Sequence, residues 1–144
     1  MKKVFFLVFM MVALSLSAQK WEDSYQDAVV LAKKENKNLL LVFAGSDWCG
    51  PCIKLDKTIW QSEDFKKFAE AHLVLYKADF PRKKANKLNK ELALQNNNLA
   101  ERYNSNGHFP LVVLLNEEEK VIGKTGYLKL SPTEYITHLK SMFE

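Results

Sequence analysis

The chain has 144 residues, 47% of them hydrophobic and 26% charged, an ordinary globular composition with material for one core rather than two. Its formal net charge is +4; Lys2 and Lys3 supply half of that excess, and what remains is too weakly basic to imply a nucleic-acid partner. There are only two cysteines, three positions apart, which excludes the multi-bridge framework that staples small secreted domains.

Lys2 and Lys3 precede an unbroken apolar run from Val4 to Leu14 that closes with Ser15, Leu16, Ser17 and Ala18, the layout of a secretory signal peptide. The run is shorter than the roughly 20 apolar residues that cross a bilayer, and no second such stretch follows. Cleavage after Ala18 puts the small residue at the cut; Leu16 is a less usual neighbour, and an uncleaved anchor is the alternative. The expected product is residues 19–144, one domain without stable membrane insertion, in the periplasm or another exported compartment where disulfides persist. No cysteine follows the cut, which argues against a lipid anchor.

Trp21, Tyr25, Ala28, Val29 and Ala32 recur at helical spacing behind Asp23 as N-cap, predicting a helix to about Lys34. Leu39 to Ala44 is a continuous apolar run bounded by polar and glycine residues, as in a strand buried on both faces. Ile53 to Trp60 reads as helix, and Ser62 with acidic Glu63 and Asp64 starts another that buries Phe65, Phe68 and Ala69. Leu73 to Asp79 is a second strand. The lysine-rich stretch from Phe80 to Asn98 reads as a surface insertion with a helix near Leu88 to Leu94, after which Asn98 caps a short helix. Leu111 to Leu115 and Lys120 to Lys124 form an antiparallel hairpin about an acidic turn. Ser131, Pro132 and Glu134 give an N-cap, a first-turn proline and a capping box for a closing helix. The pattern implies an α/β fold, a central mixed sheet with helices on both faces.

Cys49 and Cys52 lie just after a buried strand, at the opening of a helix, where thiol redox chemistry places them. A helix N-terminus favours an anion, so Cys49 is expected to form a thiolate near neutral pH and attack. Cys52 is in register with Leu55 and Ile59, on the buried face, and resolves the mixed disulfide. Gly50 leaves room for substrate, Pro51 suits the first helical turn, and Trp48 beside Cys49 offers a contact surface.

Trp48-Cys49-Gly50-Pro51-Cys52 resembles the active-site motif of thioredoxins, and the elements around it follow thioredoxin order over nearly the whole mature chain. Lys57, Thr58, Trp60, Ser62 and Phe65 resemble the stretch after the cysteines in exported thioredoxin-like proteins and in the C-terminal domain of transmembrane thiol-disulfide interchange proteins. The resemblance implies that Pro110 is a cis-proline beside the cysteines, that the Phe109 backbone pairs with a substrate strand, and that Gly126 lies near the substrate groove. Three features depart from thioredoxins. Leu41, Val42 and Phe43 stand where those proteins bury an aspartate, leaving Asp47, Lys77 and Asp79 as candidate proton acceptors for Cys52. The stretch from Asn104 to Phe109 is about one residue longer, with His108 as the extra residue, and Leu111 replaces a threonine. The Phe80 to Asn98 insertion carries Arg82, Lys83, Lys84, Lys87 and Lys90, a solvated face or a selector of acidic partners.

A structural disulfide closing so short a loop would stabilise weakly. A structural zinc takes about four ligands, of which the cysteines supply two, and His72, His108 and His138 would have to converge on them; no metal or other cofactor is expected. The function expected is thiol-disulfide oxidoreduction, in the direction of reducing protein disulfides because the Gly-Pro pair resembles reducing thioredoxins, with a transmembrane electron donor as partner. The alternative is a binding module of the same fold that delivers copper(I) or chaperones without turnover.

Overall fold

The computed structural model describes residues 19–143; the signal-peptide reading of residues 1–18 lies outside them. Ser24, not Asp23, caps α1 (Tyr25–Glu35), its Oγ accepting the Asp27 N–H at 3.1 Å. Trp21 is not on that helix. It bridges Leu75 in parallel fashion, and the Glu22 N–H donates to the Leu75 carbonyl at 2.9 Å. The indole is drawn there by the aromatic core, 6.3 Å from the Trp60 ring in an edge contact.

The sheet is built around β1 (Asn38–Ala44), parallel to β2 (Leu73–Asp79) and antiparallel to β3 (Leu111–Leu115), with β4 (Val121–Thr125) antiparallel to β3. The order is β2-β1-β3-β4, a mixed sheet as expected. β4 begins one residue later than its apolar pattern suggests, because the Lys120 carbonyl is taken by the Asn116 N–H in the turn.

Strand pleating sorts the core into two layers. Leu40, Val42, Ala44, Leu73, Leu75, Val112 and Leu114 face α2 (Gly50–Leu55), α3 (Glu63–His72) and α5 (Pro132–Lys140). Leu39, Leu41, Phe43, Val74, Tyr76, Val113 and Leu115 face α1 and α4 (Lys90–Tyr103). Helices cover both faces. α2 runs on through a π-helical turn at Asp56–Trp60. The capping box of α5 is complete, with Ser131 Oγ accepting from the Glu134 N–H at 3.3 Å and Glu134 Oε2 accepting from the Ser131 N–H at 2.8 Å.

The two short helices expected between Leu88 and Tyr103 are one. Asn89, not Asn98, caps α4, its Oδ1 accepting the Leu92 N–H at 2.7 Å. The asparagine run does not break the helix because Asn96 is buried: its Oδ1 accepts from the Tyr76 hydroxyl at 2.7 Å and its Nδ2 donates to the Asp79 carbonyl at 3.0 Å. Tertiary hydrogen bonds thus override weak helix propensity. Only the part before α4 is a surface excursion, with residues 82–87 exposed. No helix among the described residues is long and apolar enough to cross a membrane.

Candidate active site

Beyond the end of β1 the Gly45 carbonyl accepts the N–H groups of Trp48 and Cys49 at 3.3 and 2.9 Å, and this turn sets Cys49 as the N-cap of α2. Its Sγ accepts the Cys52 N–H at 3.3 Å. Pro51 sits in the first turn, where its missing N–H leaves no hydrogen bond unmade. The two cysteines are disulfide-bonded, their Cα atoms 5.2 Å apart. When that bond is open, the helix N-terminus and the Cys52 N–H both favour negative charge on Cys49. Cys52 shares the inward face with Leu55 and Ile59, as the spacing predicts. Residue exposure does not separate the two cysteines, each being 5% exposed in this oxidised form; the Cys49 Sγ is set apart by accepting the Cys52 N–H. Gly50 is open to approach, for a methyl group there would meet nothing within 4 Å.

The Phe109–Pro110 peptide bond is cis, as the resemblance implies. Phe109 meets the Trp48 ring edge-on at 5.4 Å and the Phe80 ring at 5.4 Å. The indole Nε1 of Trp48 donates to the Phe80 carbonyl at 2.7 Å, so the aromatic group beside Cys49 is fixed on two sides. Gly126 lies against Pro110: a Cβ there would stand 3.1 Å from the Pro110 carbonyl oxygen. The extra length before Pro110 is absorbed by buried Asn104, whose amide donates to the His108 carbonyl at 2.8 Å and accepts the His108 N–H at 2.9 Å.

Behind Cys52 is a pocket of about 140 Å³ lined by Val42, Ala44, Ser46, Cys52, Asp56, Trp60 and Lys77 among others. It is large enough for water. Lys77 reaches it because β2 alternation puts position 77 on the face of Leu73 and Leu75. Its Nζ donates to Asp56 Oδ1 at 3.0 Å and lies 4.8 Å from the Trp21 ring centroid. Asp56 carries no motif that marks it in the sequence. Its signal was available in part, because it falls four positions after Cys52, one helical turn on; its pairing with Lys77 depends on the tertiary fold.

Of the three proton acceptors considered from sequence, only Lys77 borders this pocket. Asp79 accepts the Ser46 N–H and hydroxyl at 2.9 and 2.5 Å. Asp47 accepts the N–H groups of Arg82 and Lys83 and the Asn86 amide, each at 3.0 Å. The Arg82 N–H, then the Asn86 amide, hold the Asp47 carboxyl below the ordinary aspartate range. Ser46, Asp47 and Trp48 therefore fasten the segment 79–86 to the redox motif. Among the described residues no group of three or more His, Cys, Asp and Glu side chains is placed to hold a metal.

A family model for a thioredoxin-like domain matches residues 25–143. Over 122 residues the chain is 37% identical to the disulfide bond reductase DsbH of Chlamydia pneumoniae, covering 85% of this chain and 71% of that protein. It is 31% identical over 106 residues to the thioredoxin-related protein DsbJ of the same organism, covering 74% of this chain and 30% of that one. A solved structure of a DsbH oxidoreductase superposes with a TM-score of 0.81 at 35% identity, covering 88% of this chain and 85% of that one. With a Cys-x-x-Cys pair at the start of a helix and a cis Phe109–Pro110 bond whose Phe109 ring packs on Trp48, the chain belongs to the thioredoxin-like family of thiol-disulfide oxidoreductases.

Proposed function

We propose that the protein is an exported reductase of protein disulfides that works through a Cys49/Cys52 dithiol-disulfide cycle. The observation that carries this reading is the Cys49 sulfur at the N-cap of α2, accepting the Cys52 N–H, next to the Trp48–Phe109 aromatic pair. In the reduced protein the Cys49 thiolate attacks one sulfur of a substrate disulfide; the S–S bond breaks, and its electron pair leaves on the other substrate sulfur. The mixed disulfide lies along Phe109, whose backbone pairs with the substrate strand, with Pro110 and Trp48 flanking it.

Cys52 then gives up its proton. Asp56, paired with Lys77 and lining the same pocket, is the carboxylate placed to take it through pocket water. The Cys52 thiolate attacks the Cys49 sulfur, the substrate sulfur bonded to Cys49 departs as a thiolate, and the protein is left as the Cys49–Cys52 disulfide. Two electrons have moved to the substrate. They are restored by a dithiol donor, which for an exported protein draws on reductant from across the membrane.

Export is supported by the signal-peptide pattern of residues 1–18, and the reducing direction by the Gly50-Pro51 pair and by the name of the Chlamydia relative. The deciding experiment is equilibration of the Cys49–Cys52 couple in glutathione buffers, with a potential near that of thioredoxin, about −270 mV, expected; a value near about −120 mV would overturn the reducing direction. Cys49→Ser abolishes disulfide reduction, whereas Cys52→Ser accumulates mixed disulfides with substrate.

A further inference from the structure

Between Phe80 and Glu91 the chain carries five basic side chains, Arg82, Lys83, Lys84, Lys87 and Lys90, and no acidic one. All five are exposed. On a free loop this would be a solvated face, but Arg82 is held in place. Its guanidinium lies 3.8 Å from the Trp48 ring centroid, and its backbone N–H, like that of Lys83, is bound by the Asp47 carboxylate at 3.0 Å. Asp47 and Trp48 are the two residues immediately before Cys49. The Arg82 guanidinium therefore stands at a defined place on the residue next to Cys49, and the cost of ordering it is already met in the free protein.

Their charge is also largely unpaired within the fold, Asp47 being, among the described residues, the one carboxylate that Lys83 feels. Among the described residues none of Arg82, Lys83, Lys84 and Lys87 forms an ion pair. The carboxylate at their base, Asp47, is committed to three N–H donors. An ordered cation on an aromatic face, with further lysines behind it, is complementary to a carboxylate arriving with the substrate. We infer that this rim selects substrate proteins whose disulfide cysteines are flanked by Asp or Glu, with Arg82 making the contact from its seat on Trp48. The inference rests on Cys49 and Cys52 being the redox pair.

The test uses two model peptides, each closed by one disulfide, identical except for Glu or Lys beside the cysteines. Oxidation of the pre-reduced protein by each peptide is timed by alkylation and mass analysis. Each rate is divided by that peptide's rate with dithiothreitol, because flanking charge alters the intrinsic reactivity of a disulfide. The expected Glu-to-Lys ratio is about threefold or more at low ionic strength, falling toward one as salt rises. Arg82→Glu lowers the ratio below that of the wild type, and so does the double variant Lys83→Glu/Lys84→Glu, which leaves the Trp48 stack untouched. A wild-type ratio of one, or a ratio unmoved in the variants, overturns the selectivity while leaving the redox reading in place. Failure to reduce either peptide or oxidised glutathione defeats the redox reading and the inference with it.

Discussion

Gly45→Ala is a demanding test of how the site is built. A methyl group added at Gly45 would stand 2.6 Å from Cζ2 of the Trp48 indole, well inside van der Waals contact. The backbone there is not in the left-handed region that glycine alone favours, so the obstacle is the ring and not the main chain. To admit the methyl, Trp48 has to leave its seat. It gives up the 2.7 Å hydrogen bond to the Phe80 carbonyl and the stack under Arg82. Overpacking costs about 1–3 kcal/mol, and a lost hydrogen bond costs about 1 kcal/mol net. Against this, replacing glycine stiffens the unfolded chain by about 0.4–1 kcal/mol. The expected net loss is about 2 kcal/mol, read as a shift in the urea midpoint at unchanged slope. A double-mutant cycle isolates the cause. In a Trp48→Ala background the indole is gone, and Gly45→Ala becomes neutral or slightly stabilising. An equal loss in both backgrounds, or no loss in either, would refute the assignment of Gly45 as the seat of Trp48.

Three further outcomes are expected. Asp56→Asn prolongs the mixed disulfide by about a hundredfold or more, the range for losing a positioned proton acceptor, while alkylation of Cys49 in the reduced protein changes little; equal slowing of both steps would mark Asp56 as merely structural. The Asp47 clamp depends on acid: because its folded pKa is depressed, its contribution is complete above the ordinary aspartate value of about 3.9 and is lost as pH falls through the lower folded value. Hydrogen exchange at the Arg82 and Lys83 amides, corrected for intrinsic rates, should lose protection only in that acid window, and Asp47→Asn should abolish the pH dependence. Tyr135→Phe removes the hydroxyl that donates to the Gly126 carbonyl at 2.8 Å. It is expected to cost about 1–2 kcal/mol in chemical denaturation, and an unchanged midpoint would show that water replaces the phenol.

Much of the architecture was written locally. β2 matches its reading residue for residue because the apolar Leu73 to Tyr76 opens it and Asp79, after Lys77 and Ala78, closes it. α5 is announced by Ser131, Pro132 and Glu134, whose capping chemistry operates within four residues. The failures share one cause, polar or aromatic side chains whose partners are distant in sequence. The Asn96 to Asn98 run looks like a helix breaker until Tyr76 and the Asp79 carbonyl bind the Asn96 amide. Trp21 fits a helical period but is claimed by Leu75 and Trp60 from across the fold. At the site, the cysteines and Pro110 were legible from motif and resemblance, whereas Asp56 required knowing that Lys77 points into the same pocket. Asp47 and Asp79 looked like free carboxylates because nothing local shows the amides and hydroxyl they bind.

The Trp21–Glu22 segment along β2 also bears on edge-to-edge association. β2 is a border strand of the sheet, and unpaired strand borders recruit other strands. The contacts of Trp21 and Glu22 with Leu75 occupy part of that border from within the same chain. A version shortened to begin after Glu22 would offer the bare rim of β2 to its neighbours in solution, and such a protein would keep its redox pair yet associate edge to edge as its concentration rises.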